Sequence, residues 1–255
     1  MFRARQYLRF WSNKQISNIH RCKADTNQLT ELGKEKFPVN FKNKITLFIL
    51  ASLPFYLNDF SNIFVKDEVT WITLDYSLKL IPLTFLLYMI KAGNLSLKDL
   101  GITGLPPKRF IFWTFFITIL GLCFDEPGFS IWSEIFPSIK LGSIPIGQDS
   151  PYYMLDMSVG LALVAVAEEV IFRGLAFTAL KEKGYSPSAV FIISGLAFGL
   201  IHWSAGPVAI ITTAITGSGL MVCMWKTRSI LPTIVAHYII NYLSFSGLAV
   251  KFWGI

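Results

Sequence analysis

Apolar segments of roughly membrane-spanning length recur along this chain. That leaves few folds open, because lipid offers a backbone N–H or C=O no partner outside the protein itself. The segments run approximately over Ile45–Val65, Trp71–Ile90, Phe110–Phe124, Tyr153–Leu180, Ala189–Trp203, Pro207–Trp225 and Ile230–Val250. Segments of this kind satisfy their backbone as helices, so the expected fold class is all-α, a polytopic membrane bundle of seven to eight transmembrane helices. The count is seven, with eight as the alternative, because the fourth segment is long enough to be one tilted or broken helix or a span followed by a surface helix. The third and fifth are short and call for tilt or for extension into their flanks. Composition agrees: of 255 residues 53% are hydrophobic and 15% charged, with a mean hydropathy of +0.52, whereas a soluble domain carries about 25% charged residues. A chain this apolar cannot cover its own surface with polar groups. Between segments, "TGLPPKR" (Thr103–Arg109) and "EPGFS" (Glu126–Ser130) read as loops on their Pro and Gly. No internal repeat or low-complexity tract is evident.

Positive charge sets the orientation, since Lys and Arg are retained on the cytoplasmic side. Residues 1–44 hold ten of them, the 91–109 loop four, the 181–188 loop two and the 226–229 turn two, together 18 of 23. Seven spans put these regions on one side and the 125–151 loop, with four acids and one lysine, on the other. The expectation is a multi-pass protein of the cell membrane with its N-terminus in the cytoplasm and its C-terminus outside. Residues 1–44 form a basic tail and 45–255 the bundle. Topology and attraction to anionic membrane lipid account for the net charge of +7, which gives no support for nucleic-acid binding. The opening "MFRARQYLRFW" reads as a solvated tail in preference to a membrane-surface or transit segment. Cys22, Cys123 and Cys223 are far apart and odd in number, so they indicate neither a disulfide framework nor a zinc knuckle.

Against this background "AVAEEVIFRG" (Ala165–Gly174) stands out. An ionised side chain at the centre of a span costs at least about 2.5 kcal/mol, and such residues usually mark function. Glu169 and Arg173, four apart, share a helical face and can pair. Glu168 points away by about 100° and is left over, a desolvated carboxylate suited to a general base. Two later segments carry "FGLIH", with Phe198 four residues before His202, and "HYIIN", with His237 four before Asn241. His20 lies in the tail and is assigned nothing. Any one intramembrane His or Asn reads most simply as an interhelical hydrogen bond. Asp75 and Lys79 read as a structural pair, Asp59 and Asp156 as residues near the interfaces, and Gly195 and Gly199 as helix-packing contacts. A Glu, two His and an Asn, each on an apolar helix of one half, together supply the parts of a water-activating site.

These three stretches, in order and spacing, resemble the EExxxR, FxxxH and HxxxN motifs of the CAAX protease and bacteriocin-processing (CPBP, or Abi) family of intramembrane endopeptidases, related to type II CAAX prenyl endopeptidases. "LSLKDLGI" (Leu95–Ile102) is similar to a cytoplasmic loop common in bacterial members. The motifs cover residues 168–241, about a third of the chain. The resemblance implies a bundle, usually of eight helices, with its catalytic core at about 153–250 and a polar cavity open to the cytoplasm. It implies Glu168 as base, His202 as its partner in holding water, His237 and Asn241 as oxyanion donors, and Glu169 with Arg173 as structural support. The activity implied is hydrolysis of a peptide or protein substrate, prenylated or membrane-associated. No Ser or Cys has a base beside it, so an acyl-enzyme is disfavoured. The expected mechanism uses no cofactor. A metalloendopeptidase variant stays open, with zinc on Glu168, His202 and His237, although HExxH spacing is absent. The competing class is a transporter or immunity-type membrane protein binding an ion or peptide at the same cluster.

Overall fold

Six of the eight described helices begin where a side chain satisfies the first amides or a proline dispenses with one. The structure, a computed structural model, describes residues 43–136 and 139–254, without the side chain of Glu126. Residues 1–42 of the basic tail, with Cys22 and His20, therefore lie outside the described residues. Helix α1 (Lys44–Phe64) is capped by the Asn43 side chain, which accepts the Ile45 N–H, and α2 (Glu68–Lys91) by Asp67, which accepts that of Thr70. Prolines stand in the first turn of α3 (Pro107–Ile135), α5 (Pro187–Gly199, continued as a 3-10 turn Leu200–Ala205), α6 (Pro207–Thr227) and α7 (Leu231–Phe245). Their missing N–H would be unpaired there in any case. Helix α4 is a continuous run from Tyr153 to Glu182, interrupted by π-helical stretches at Asp156–Gly160 and Glu169–Leu175. A short α8 (Leu248–Trp253) closes the chain. Among the described residues there is no strand.

Five helices, α1, α2, α3, α5 with its 3-10 turn, and α6, are long and apolar enough to cross a membrane. This is an all-helical membrane protein. Of the other two expected segments, α4 is helical throughout but passes twice into π geometry, and α7 has 15 residues. These two carry the glutamates, Arg173, His237 and Asn241. The third segment corrects the sequence reading. Helix α3 runs through "EPGFS", with Pro127 inside it. In a membrane helix, neighbouring groups re-satisfy what an internal proline frees, and Pro54 and Pro82 lie inside α1 and α2 likewise.

The core centres on Phe172, whose ring meets Phe48, Phe55 and Phe198 edge-on at 6.0, 5.5 and 5.7 Å. Large apolar side chains such as Leu53, Leu57, Ile111 and Phe115 face outward. Gly195 and Gly199 are packing glycines, as expected: a Cβ would stand 2.6 Å from the Ala214 carbonyl oxygen and 2.5 Å from that of Ile210 on α6.

One end of the bundle collects the basic connections. Lys44 pairs with Asp99 at 2.8 Å and Glu182 at 2.5 Å, Thr103 donates to the Arg228 carbonyl, and Arg109 donates to that of Lys226. Burial opposes ionisation of Asp99, but hydrogen bonds from Lys44 and Ser96 outweigh it and hold the carboxyl below its ordinary range. The loop bearing Asp99 lies directly on the π turn of α4, where a Cβ on Gly174 would fall 2.2 Å from the Leu100 carbonyl oxygen. Gly174→Ala should therefore lower thermal stability, by about 1–3 kcal/mol for such overpacking, as read from the unfolding midpoint of the detergent-solubilised protein.

Candidate active site

The two glutamates of "EEVIFRG" stand where α4 passes from α-helical (Leu161–Glu168) to π-helical geometry (Glu169–Leu175). A π turn bonds i to i+5 and often marks a functional site. Ser194 on α5 donates to the Phe172 carbonyl at 2.6 Å within this wide turn. Glu169 and Arg173 nevertheless pair, at 3.3 Å, both fully buried. The Arg173 guanidinium lies 3.9 Å from the centre of the Phe198 ring, a cation–π contact. Gly217 on α6 makes the room: a Cβ there would lie 2.8 Å from Phe198 and 3.3 Å from Arg173.

Phe198 joins the two histidines. Its ring meets His202 at 5.1 Å and His237 at 5.8 Å, both edge-on. His202 sits in the 3-10 turn with a non-helical backbone (φ −104°, ψ 26°), and its Nδ1 lies 3.1 Å from the Phe198 carbonyl oxygen. A carbonyl only accepts, so Nδ1 carries the proton and Nε2 keeps its lone pair.

His237 reaches the glutamates from α7. Its Nδ1 lies 2.9 Å from Glu169 Oε1 and its Nε2 3.7 Å from Glu168 Oε2. Glu169 thus holds both Arg173 and His237, a contact that spacing along one segment could not reveal. Glu168 is buried, and its Oε2 has no hydrogen-bond partner among the described residues. It is the leftover carboxylate, and the ionic neighbour it faces is His237 and not His202. Asn241 follows His237 on α7 and is half-buried. Among the described residues no three His, Cys, Asp or Glu side chains form a metal-ligand group. Glu168, His202 and His237 do not form the two-His, one-carboxylate group left open on sequence.

Sequence reasoning missed two contributors. The Asp75–Lys79 ion pair is present and buried, with Asn58 donating to Asp75 at 2.9 Å. Lys79 is also close enough to act electrostatically on Glu168 and His202, so it belongs to the surroundings of the site. Asp59, expected near an interface, is buried and accepts the Ser204 N–H at 2.7 Å. The polar run "NDFSN" (Asn58–Asn62) inside an apolar segment was the available signal for this second case.

Comparison with known families gives residues 150–243 as a match to the family described as Type II CAAX prenyl endopeptidase Rce1-like. The matched region contains Glu168, Glu169, Arg173, Phe198, His202, His237 and Asn241, whereas Asp59 and Lys79 lie outside it. No curated protein and no solved structure matches.

Proposed function

We propose that the protein is an intramembrane endopeptidase that hydrolyses a peptide bond with water activated by Glu168, acting on a prenylated or otherwise membrane-associated peptide or protein. The observation that carries this reading is the buried, unbonded Oε2 of Glu168 facing His237 Nε2 at 3.7 Å, inside a region that matches a peptidase family. The separation is too long for a direct hydrogen bond. Glu168 takes a proton from water, and the water oxygen attacks the peptide carbonyl carbon. His202, with its Nε2 lone pair free, gives the water a second acceptor.

The oxyanion then needs donors. His237 donates to it from a protonated Nε2, and the Glu169 carboxylate on Nδ1 fixes the ring. The Asn241 amide donates alongside. Collapse of the tetrahedral intermediate breaks the C–N bond, and Glu168 returns its proton to the departing amine. Arg173 neutralises Glu169 and keeps this dyad in register. The reaction so written uses no metal or other cofactor. Reconstituted protein should cleave a randomised peptide library, and Glu168→Gln should not. A library left intact by both would remove the proposal.

The orientation proposed is N-terminus inside at the cell membrane. Its support is the clustering of Lys44, Arg109, Lys226 and Arg228 at one end of the bundle. A topology reporter fused after Lys181 should read as cytoplasmic and one fused within 139–150 as external. The reverse pattern would contradict this orientation.

A further inference from the structure

The break in α5 at His202 frees backbone groups that a continuous helix would pair, and buried amides of this kind need partners. For Ser204, two residues on, both sides of the peptide are held. Asp59 Oδ2 on α1 accepts its N–H at 2.7 Å, and the amides of Leu141 and Gly142 donate to its carbonyl at 2.8 and 3.1 Å. Asp59 is itself oriented: Asn62 Nδ2 donates to its Oδ1 at 3.1 Å, and Trp71 Nε1 donates to Asn62 Oδ1 at 2.9 Å. Trp203 Nε1 donates to the Tyr56 carbonyl, and the Tyr56 hydroxyl donates to that of Ala197. At Gly206 the backbone is left-handed (φ 95°), and a Cβ would strike the Ile139 carbonyl oxygen at 1.9 Å, so the segment around 139–142 lies tightly on the turn.

We propose that Asp59 is a positioning residue for His202: from α1 its carboxylate holds the Ser204 amide, and with it the helix break that turns the His202 imidazole against Phe198 with Nε2 free. A continuous helix would give the Phe198 carbonyl to the His202 amide, whereas here it faces the imidazole Nδ1. The buried carboxylate has a definite task in this account, which its near-complete enclosure demands. The proposal deepens the peptidase reading and rests on it for the catalytic consequence alone; the geometry can be tested without turnover.

The chain has three histidines, so full-length protein labelled with 15N-histidine and reconstituted in lipid gives a spectrum of three imidazoles, with His202 assigned by its loss in His202→Gln. In the wild type, His202 should show the signature of a neutral ring protonated at Nδ1. Asp59→Val removes the acceptor and should abolish that signature. It should also lower kcat on a library-selected peptide by on the order of 10²-fold, the effect of a misplaced catalytic group, with KM little changed. The exchange Asp59→Asn with Asn62→Asp keeps an acceptor for Ser204 and restores complementary donors and acceptors at 59 and 62, so both readouts should return. A folded Asp59→Val with the wild-type His202 signal overturns the proposal. If Asp59→Val does not fold, the exchange variant decides: a folded exchange protein that has lost the Nδ1–H signature also overturns it. Absence of cleavage by the wild type would strike the peptidase reading and leave the imidazole test standing.

Discussion

Glu169→Gln should yield far less folded protein than the wild type. The substitution keeps the shape of the side chain and removes the carboxylate paired with a guanidinium that has no solvent exposure. Stranding one partner of a buried ion pair costs about 3–5 kcal/mol, a large fraction of a domain's net stability. Here the loss is compounded, because the same oxygen, Oε1, meets His237 Nδ1 at 2.9 Å. The Phe198 face still receives Arg173 at 3.9 Å, but a cation–π contact supplies only about 2 kcal/mol when desolvated and does not replace the carboxylate. The double variant Glu169→Gln with Arg173→Met removes both charges and should recover folded protein, since apolar replacement of a buried pair is often neutral. It should not recover turnover, because His237 has then lost the carboxylate that fixes its ring. Thermal unfolding in detergent beside a cleavage assay separates the two effects. Equal stability of the single variant and the wild type would show that Glu169 does not neutralise Arg173.

Glu168→Gln should behave in the opposite way, folding as well as the wild type and losing turnover by about 10²–10⁴-fold, the usual contribution of a general base. Two adjacent glutamates differ so sharply because their partners differ. Glu168 carries a buried Oε2 with no hydrogen bond, so an amide there removes a desolvated charge and strands nothing. A stability loss as large as that of Glu169→Gln would mean that Glu168 is structural.

The pairing of Glu169, and not Glu168, with Arg173 is legible in the order E-E-x-x-x-R, because a spacing of four brings one carboxylate to the arginine and leaves the other. The packing of Gly195 and Gly199 is legible for a similar reason: small residues four apart let a neighbouring backbone approach. Contacts between distant segments are not readable in this way. Nothing in "HYIIN" says that His237 Nδ1 meets Glu169, and nothing in "FGLIH" says that its histidine lies at a helix break held by Asp59 on α1. The π turn at Glu169–Leu175 has no propensity signature, since the same residues fit an α-helix. Pro127 misleads because its usual meaning belongs to helices in water, whereas in α3 it is carried inside a 29-residue helix.

The central claim is that Glu168 activates water for peptide hydrolysis, and new amino termini released from a randomised peptide library by lipid-reconstituted protein test it most directly. In the presence of a chelator, the wild type should release them at an undiminished rate and Glu168→Gln should release none above the lipid blank. Equal release by the two proteins, or release by the wild type that stops with chelator and returns with stoichiometric zinc, would contradict it.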